Sequence, residues 1–250
     1  MKRQIPNIIT LCNEQATYYG IQQAFSKILK DAHQNDVVYI HFSGHGQQIT
    51  DLNGDEQDGW DECWIPYDAP IKATEKYHGE RHVTDDELNY YLCRMRERVG
   101  EKGTITIVSD ACHSGTGTRK VGEMGIRGTS AKFLLTDYSL NQLRQWGFYK
   151  YALSVYAPQT EQWIHISACA DNECNRQYNG ILRSKEDLSD NTSRPYGSLT
   201  YALYLLRDQL SSVSANDLFS LLQQQVKQLV LRPQTPQLEG DKALQENPIL

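Results

Sequence analysis

Apolar positions along the chain occur in two kinds of run, and their alternation predicts the fold class. Short β-branched runs bounded by glycine or polar residues predict buried strands at 37–43, 104–108 and 163–169. Apolar residues at helical spacing predict helices at 17–33, 84–99, 198–210 and 214–230. Thr17, Thr84 and Ser214 are suitable N-caps. Strands that alternate with helices predict an α/β fold, with a mainly parallel central sheet and helices on both faces.

Three stretches have a weaker pattern. Residues 5–12 and 63–66 have the composition of short strands, whereas 115–160 contains many glycines and no clear period. We therefore expect a single domain over 1–250. Its core comprises 1–115 and 160–250, and 116–160 is a flexible or processed linker.

Two of the predicted strands end at a reactive side chain. The strand 37–43 leads to His45, between two glycines, and the strand 104–108 leads to Cys112. Carboxyl ends of parallel strands meet at one edge of a sheet, so we expect these side chains to form a Cys–His pair. Cys112 is then the nucleophile and His45 the general base, with the backbone N–H groups of Gly46 and Cys112 as candidate oxyanion donors.

Two polar residues precede this pair at strand spacing. Ser43 and Asp110 lie two residues before His45 and Cys112, so they share a side of their strands with the catalytic residues. A buried carboxylate that faces a pocket needs a cation, which an arginine or lysine of the substrate would supply. Asp171, after the strand 163–169, is a further candidate for this pocket. The alternative is that Asp110 only bonds local backbone.

Composition excludes several other functions. The net charge of −6 argues against a nucleic-acid-binding surface. No apolar run approaches the length of a transmembrane helix, and the N-terminus has no apolar signal core, so we expect no membrane association. The six cysteines are scattered and have no metal-ligand spacing, which favours reduced thiols and a cytoplasmic location.

Five motifs in order resemble the metacaspases and their prokaryotic relatives, the orthocaspases. These are Tyr39-Ile-His-Phe-Ser-Gly-His-Gly-Gln, Asp51-Leu-Asn-Gly-Asp-Glu, Val83-Thr-Asp-Asp-Glu-Leu, Asp110-Ala-Cys-His-Ser-Gly and Gly197-Ser-Leu-Thr-Tyr-Ala-Leu. The resemblance implies a caspase-hemoglobinase fold and a cysteine endopeptidase whose polypeptide substrates have a basic P1 residue. Caspases have Gln-Ala-Cys-Arg-Gly around the nucleophile; here Asp110 takes the Gln position, which favours basic over aspartate specificity. The family's usual first strand appears absent, so we expect a missing upstream segment or a regulatory partner.

The resemblance also implies a calcium site, and a basic loop beside a site specific for arginine or lysine is a candidate for self-cleavage, with a solvated loop as the alternative. Asp61, Asp85 and Asp86 resemble three calcium ligands, but the fourth acidic position is Arg119, a cation. We therefore expect that no cofactor is required and that calcium binds weakly if at all; a solvated acidic surface is the alternative. The glycine-rich segment after Cys112 carries three self-cleavage candidates: Arg119, Lys120 and Arg127.

A second function remains open on this sequence. A catalytically silent caspase-like interaction module would have the same fold and motifs. Both His45 and Cys112 are present, which favours the enzyme.

Overall fold

The computed structural model describes residues 7–54, 56–112, 127–129, 131–145, 162–170, 173–178, 196–230 and 233–250. The helices in this part of the chain are α1 (Tyr18–Asp31), α2 (Asp85–Val99), α3 (Asp137–Gln145), α4 (Ser198–Leu205) and α5 (Ala215–Leu229). The strands are β1 (Val37–Ser43), β2 (His45–Thr50), β3 (Trp60–Ile65), β4 (Val83–Thr84), β5 (Thr104–Asp110), β6 (Ile164–Ser167), β7 (Gln177–Tyr178), β8 (Tyr196–Gly197) and β9 (Gln237–Gly240).

The central sheet has the strand order β1-β5-β6-β9. The pairs β1–β5 and β5–β6 are parallel, and β9 is added antiparallel to β6. The register sets Ser43 against Asp110 and Ser109 against Ser167. The predicted mainly parallel sheet is therefore confirmed, and the two strand ends of interest are neighbours.

Helices cover both faces of this sheet, as predicted. Alternation along β5 sends Ile105 and Ile107 into a core with α1 and α2, whereas Val108 packs with α4 and α5. Each predicted N-cap also accepts a backbone N–H: Thr17 from Gly20, Thr84 from Glu87 and Ser214 from Asp217. None of the described helices is both long and apolar enough to cross a membrane.

A second sheet stands beside the first, and the sequence pattern did not predict it fully. β2 and β3 form an antiparallel hairpin, to which β4 is added. Its apolar side packs on residues of the segment predicted as a linker: Phe133, Leu135 and Leu143. For residues 131–145 the interpretation as a flexible linker is therefore wrong, because their apolar side chains fill a core. The division of the chain into core and linker otherwise stays a prediction.

Two other boundaries differ from the sequence pattern. Residues 7–12 form no strand; Ile8 and Ile9 are exposed and pair with no neighbouring strand, and a 3-10 helix follows at Asn13–Gln15. Helix α4 ends at Leu205 rather than near Leu210, and the apolar pattern continues through turns, where Leu206 is buried.

Candidate active site

The ends of β1 and β5 bring the predicted catalytic residues to one edge of the central sheet. Ser43 and Asp110 are paired in the last register position, and the Gly44 N–H donates to the Asp110 carbonyl oxygen at 3.3 Å. His45 follows two residues after Ser43, where β2 begins, and Cys112 follows two residues after Asp110. The structure thus places both residues at adjacent strand exits, and their catalytic roles stay predictions.

Cys112 is nearly inaccessible to solvent, at 1% exposure. Its backbone N–H donates to the carbonyl oxygen of Arg127 at 2.7 Å, and its thiol donates to the carbonyl oxygen of Glu173 at 3.3 Å. One of the two predicted oxyanion donors, the backbone N–H of Cys112, is therefore already bonded to a carbonyl oxygen of the same chain. His45, in contrast, is exposed.

Residues 127–129 lie across both strand exits. Gly128 forms a parallel bridge with Gly46, and the Thr129 N–H donates to the Gly46 carbonyl oxygen at 3.3 Å. A Cβ at Gly128 would lie 2.2 Å from the carbonyl oxygen of Cys112, so no larger residue fits there without movement of the backbone. This short segment is held directly against the predicted nucleophile.

The Asp110 side chain is fully buried and receives hydrogen bonds from distant parts of the chain. One carboxylate oxygen accepts from the Asn175 side-chain amide at 2.7 Å. The other accepts from the Thr200 backbone N–H at 2.9 Å, from the Thr200 hydroxyl and from the Ser43 hydroxyl at 3.5 Å. The reading in which Asp110 bonds only local backbone is therefore wrong.

Ser43 connects this carboxylate to a cation. Its hydroxyl accepts a hydrogen bond at 3.0 Å from the guanidinium of Arg127, the residue whose carbonyl contacts Cys112. The Thr200 hydroxyl also contacts Ser43, at 3.1 Å, and His41 at 2.9 Å. Ser43, Asp110 and Thr200 thus form a hydrogen-bonded cluster that the guanidinium of Arg127 contacts.

A buried network holds β2 next to His45. The side-chain amide of Gln47 donates to the carbonyl oxygens of Ile71 and Ala131, at 3.0 and 2.5 Å. The side-chain oxygen of Gln47 contacts the imidazole of His82, whose other ring nitrogen is hydrogen-bonded to the Tyr77 hydroxyl at 2.7 Å. Burial lowers the pKa of His82 to about 4, so this imidazole is neutral at physiological pH. The network fixes the strand on which His45 and Gly46 lie.

The three residues implied as calcium ligands are close together but are engaged in other contacts. The Asp61 carboxylate accepts from the Leu52 N–H at 3.2 Å, and the Asp86 carboxylate accepts from the Asn53 amide at 2.9 and 3.0 Å. Burial, with the charges of Asp61 and Asp86 next, raises the pKa of Asp85 well above its usual range. Among the described residues no group of three His, Cys, Asp or Glu side chains is arranged to hold a metal ion. The arrangement therefore does not fit calcium as it stands, and whether calcium is required stays a prediction.

Sequence reasoning missed several residues of this site, and three of its candidates cannot be placed. Asp171, Arg119 and Lys120 lie outside the described residues, so nothing is said of their positions. Asn175 and Glu173 had no sequence signal. Thr200 belongs to the motif Gly197-Ser-Leu-Thr, whose presence could have suggested it.

Comparisons with known proteins agree with the motifs. Residues 5–119 match the family model of the metacaspase peptidase C14 domain, a little under half of the chain. The chain is 39% identical over 102 residues to Metacaspase-1B of Neurospora crassa, which covers 41% of this chain and 21% of that protein. It is 38% identical over 102 residues to Metacaspase-1A of Aspergillus fumigatus, covering 41% and 22%. The matched part thus spans about a fifth of the length of these curated relatives.

Similarity of fold extends over the rest of the chain. A crystal structure of protein GSU0716 from Geobacter sulfurreducens superposes with a TM-score of 0.62 and covers 96% of this chain and 80% of that one, at 20% sequence identity. At that identity the likeness concerns the fold alone. The resemblance to metacaspases is confirmed for residues 5–119, and the α/β fold agrees with a caspase-like peptidase domain.

Proposed function

We propose that this protein is a cysteine endopeptidase that cleaves polypeptides after arginine or lysine. The observation that carries the proposal is the position of Arg127. Its carbonyl oxygen accepts from the Cys112 N–H at 2.7 Å, and its guanidinium donates to Ser43 at 3.0 Å, in front of the Asp110 carboxylate. A basic P1 residue of a substrate needs the same two contacts, one for its carbonyl and one for its side chain.

The chemistry follows from the groups at the two strand exits. His45 takes the proton of Cys112, and the thiolate attacks the carbonyl carbon of the P1 residue. The N–H groups of Cys112 and Gly46 stabilise the oxyanion, and the protonated His45 gives its proton to the leaving amine. A water molecule, activated by His45, then hydrolyses the thioester. Asp110, with Ser43, binds the basic side chain, and Asp171 stays a candidate for the same pocket.

The same geometry supports self-processing at Arg127. The peptide bond from Arg127 to Gly128 lies against Cys112, and Gly128 allows this close approach because it has no Cβ. Arg127 is therefore the favoured self-cleavage residue. Arg119 and Lys120 remain candidates on sequence alone.

Peptide hydrolysis is the decisive test. Peptides that differ only at P1, with arginine, lysine, glutamine or aspartate, should be cleaved in the order basic, neutral, acidic. Cys112→Ala should abolish turnover, whereas Cys93→Ala, at a half-buried cysteine of α2, should leave it unchanged. Preference for aspartate at P1, or full turnover by Cys112→Ala, would overturn the proposal.

Self-processing is tested on the full chain without added substrate. Incubation of the wild type should produce a new N-terminus at Gly128, and Cys112→Ala should stay intact. Arg127→Gln should remove that terminus, whereas the exposed Arg207→Gln should not. Equal cutting in the inactive variant, or the absence of any new terminus between residues 120 and 129, would contradict self-cleavage.

The burial of Cys112 under residues 127–129 also favours the second candidate, a catalytically silent interaction module. A thiol-reactive peptide with a basic P1 residue separates the two. The enzyme should be labelled at Cys112 at a rate that falls at least tenfold in His45→Ala, and the silent module should show no such dependence.

We also infer that the enzyme works in the cytoplasm without a required metal.

A further inference from the structure

A second thiol lies beside the predicted nucleophile, and the proposed mechanism does not use it. The Cys169 thiol donates to the Glu173 carbonyl oxygen at 3.5 Å, the same oxygen that accepts from Cys112 at 3.3 Å. Both thiols thus lie within hydrogen-bond reach of one carbonyl oxygen. Their sulfur atoms are therefore direct neighbours.

The backbone allows the two cysteines to be linked. Cys112 and Cys169 follow β5 and β6, which are adjacent parallel strands with Ser109 opposite Ser167. The register continues beyond the strands, because the Ala168 N–H donates to the Ser109 carbonyl oxygen at 3.1 Å. Continued in this register, Cys169 is one residue out of step with Cys112, so the shared contact of both thiols with the Glu173 carbonyl oxygen, and not the strand pairing, brings them together. A disulfide needs Cα atoms about 4.4–6.8 Å apart, which a local adjustment of the two strand exits has to provide.

The two thiols differ as expected for one cysteine that reacts with an oxidant and a second cysteine that then forms a disulfide with it. The hydrogen bond from Cys112, together with burial, raises the pKa of Cys169 far above its ordinary value. Cys169 thus stays protonated while His45 can deprotonate Cys112, so the thiolate that meets an oxidant first is Cys112. Cys169 is half-buried.

We propose that Cys112 and Cys169 form a reversible oxidation site for hydroperoxides, in which the nucleophile is stored as a disulfide. The Cys112 thiolate attacks one oxygen of hydrogen peroxide; the O–O bond breaks, and Cys112 becomes a sulfenic acid while hydroxide leaves and is protonated to water. The Cys169 sulfur then attacks the sulfenic sulfur; an S–S bond forms, and the hydroxyl leaves with the Cys169 proton as a second water. Two thiols are oxidised by two electrons, and one peroxide is reduced to two waters. A dithiol reverses the reaction by exchange.

The disulfide would protect the nucleophile as well as inactivate it. A sulfenic acid without a neighbouring thiol proceeds to sulfinic acid, which dithiols do not reduce. With Cys169 beside it, Cys112 is instead trapped in a form that a dithiol can restore. The other described cysteines are less suited: Cys63, for example, is fully buried and donates to the Gln47 carbonyl oxygen at 3.0 Å.

Mass spectrometry of the full chain tests the site directly. After exposure to hydrogen peroxide and alkylation of free thiols, a digest without reductant should contain a peptide pair that joins Cys112 to Cys169. Its mass should be lower than that of the two free peptides by two hydrogen atoms. Loss of both thiols without this link, or a link from Cys112 to Cys174 instead, would overturn the proposal.

Activity after recovery gives a second readout, which rests on the proposed peptidase function. The wild type should lose at least tenfold in hydrolysis of a basic peptide and regain most of it with dithiothreitol. Cys169→Ser should be as active as the wild type before treatment but should not recover, because its Cys112 is overoxidised. Cys93→Ser, the matched control, should behave as the wild type. Full recovery in Cys169→Ser would overturn the protective role. If the untreated wild type hydrolyses nothing, the peptidase proposal fails, and the linked peptide still decides the oxidation site.

Discussion

Two regions of this molecule contain buried acidic groups, and their surroundings are opposite. The carboxylate of Asp110 receives hydrogen bonds from Asn175, Thr200 and Ser43. Asp85, at the start of α2, is surrounded by other acidic groups, and burial with the nearby charges of Asp61, Asp86 and Glu62 raises its pKa. Hydrogen-bond donors around a carboxylate favour its charged form, whereas burial among like charges disfavours it. The first region therefore surrounds a carboxylate with hydrogen-bond donors, and the second places acidic groups next to one another.

Of the substitutions in the two regions, Asp110→Asn should have the largest effect, which is on the ratio of cleavage after arginine to cleavage after glutamine. The amide removes the negative charge and brings N–H groups towards the donors of Asn175 or Thr200, so both selectivity and stability should fall. Removal of one partner from a buried charged pair costs about 2–5 kcal/mol, so cleavage after arginine should fall by roughly 30-fold or more relative to cleavage after glutamine. Steady-state kinetics on the two peptides measure this ratio.

A control for this variant is Asp208→Asn, since Asp208 is exposed. It should change neither the arginine-to-glutamine ratio nor the thermal midpoint. Equal losses for both peptides in Asp110→Asn would show that Asp110 supports the fold alone and does not select the substrate.

The sequence allowed prediction of Asp110 as a pocket residue but not of its partners, for a physical reason. Strand spacing is local, so the positions of Ser43 and Asp110 relative to His45 and Cys112 follow from two β-branched runs. Asn175 and Thr200 are 65 and 90 residues away from Asp110, and only the packing of the sheet brings them there. The position of Arg127 was not predicted because it lies in the glycine-rich stretch 115–160, which has no clear helical or strand period. The packing of Phe133 and Leu143 in a core could not be predicted for the same reason.

Helix α2 contains a third acidic group, Glu87, that combines features of both regions. Its carboxylate accepts from Tyr18 at 3.1 Å and from Gln22 at 3.0 Å, yet burial raises the pKa of Glu87 to about 7. The folded protein therefore binds this proton more tightly than the unfolded chain does. Its contribution to stability is complete below pH about 4.5 and is lost as the pH rises through about 7.

Glu87→Gln should therefore stabilise the protein at pH 8 and leave it nearly unchanged at pH 4. The glutamine oxygen can still accept from Tyr18 and Gln22, and no charge is buried. One pKa unit corresponds to about 1.4 kcal/mol, and the pKa of Glu87 is raised from 4.5 to about 7, so a gain of about 3 kcal/mol at pH 8 is expected. Urea unfolding at the two pH values measures it, with the exposed Glu97→Gln on the same helix as control. A loss of stability at pH 8 would show that the carboxylate is charged and well solvated in the folded protein.

The smallest expected effect concerns the acidic region itself and the calcium question. Asp85→Asn removes an acidic group that is unfavourably placed beside other acidic groups, so it should raise stability at pH 8 slightly, by about 1 kcal/mol. Because the pKa of Asp85 is raised in the folded protein, this gain should shrink as the pH falls. The exposed Asp58→Asn should have no such effect.

If calcium binds in this region, 5 mM calcium should raise the thermal midpoint of the wild type by several degrees. Asp85→Asn should then lose this increase, and the substitution would be unfavourable in the presence of calcium. Because the Asp61 and Asp86 carboxylates already accept from Leu52 and Asn53, we expect less than about one degree of stabilisation by calcium and peptide hydrolysis that persists in a chelator. Hydrolysis that stops in the chelator and returns with calcium would show that these contacts rearrange to bind the ion, and that the two acidic regions are both binding sites.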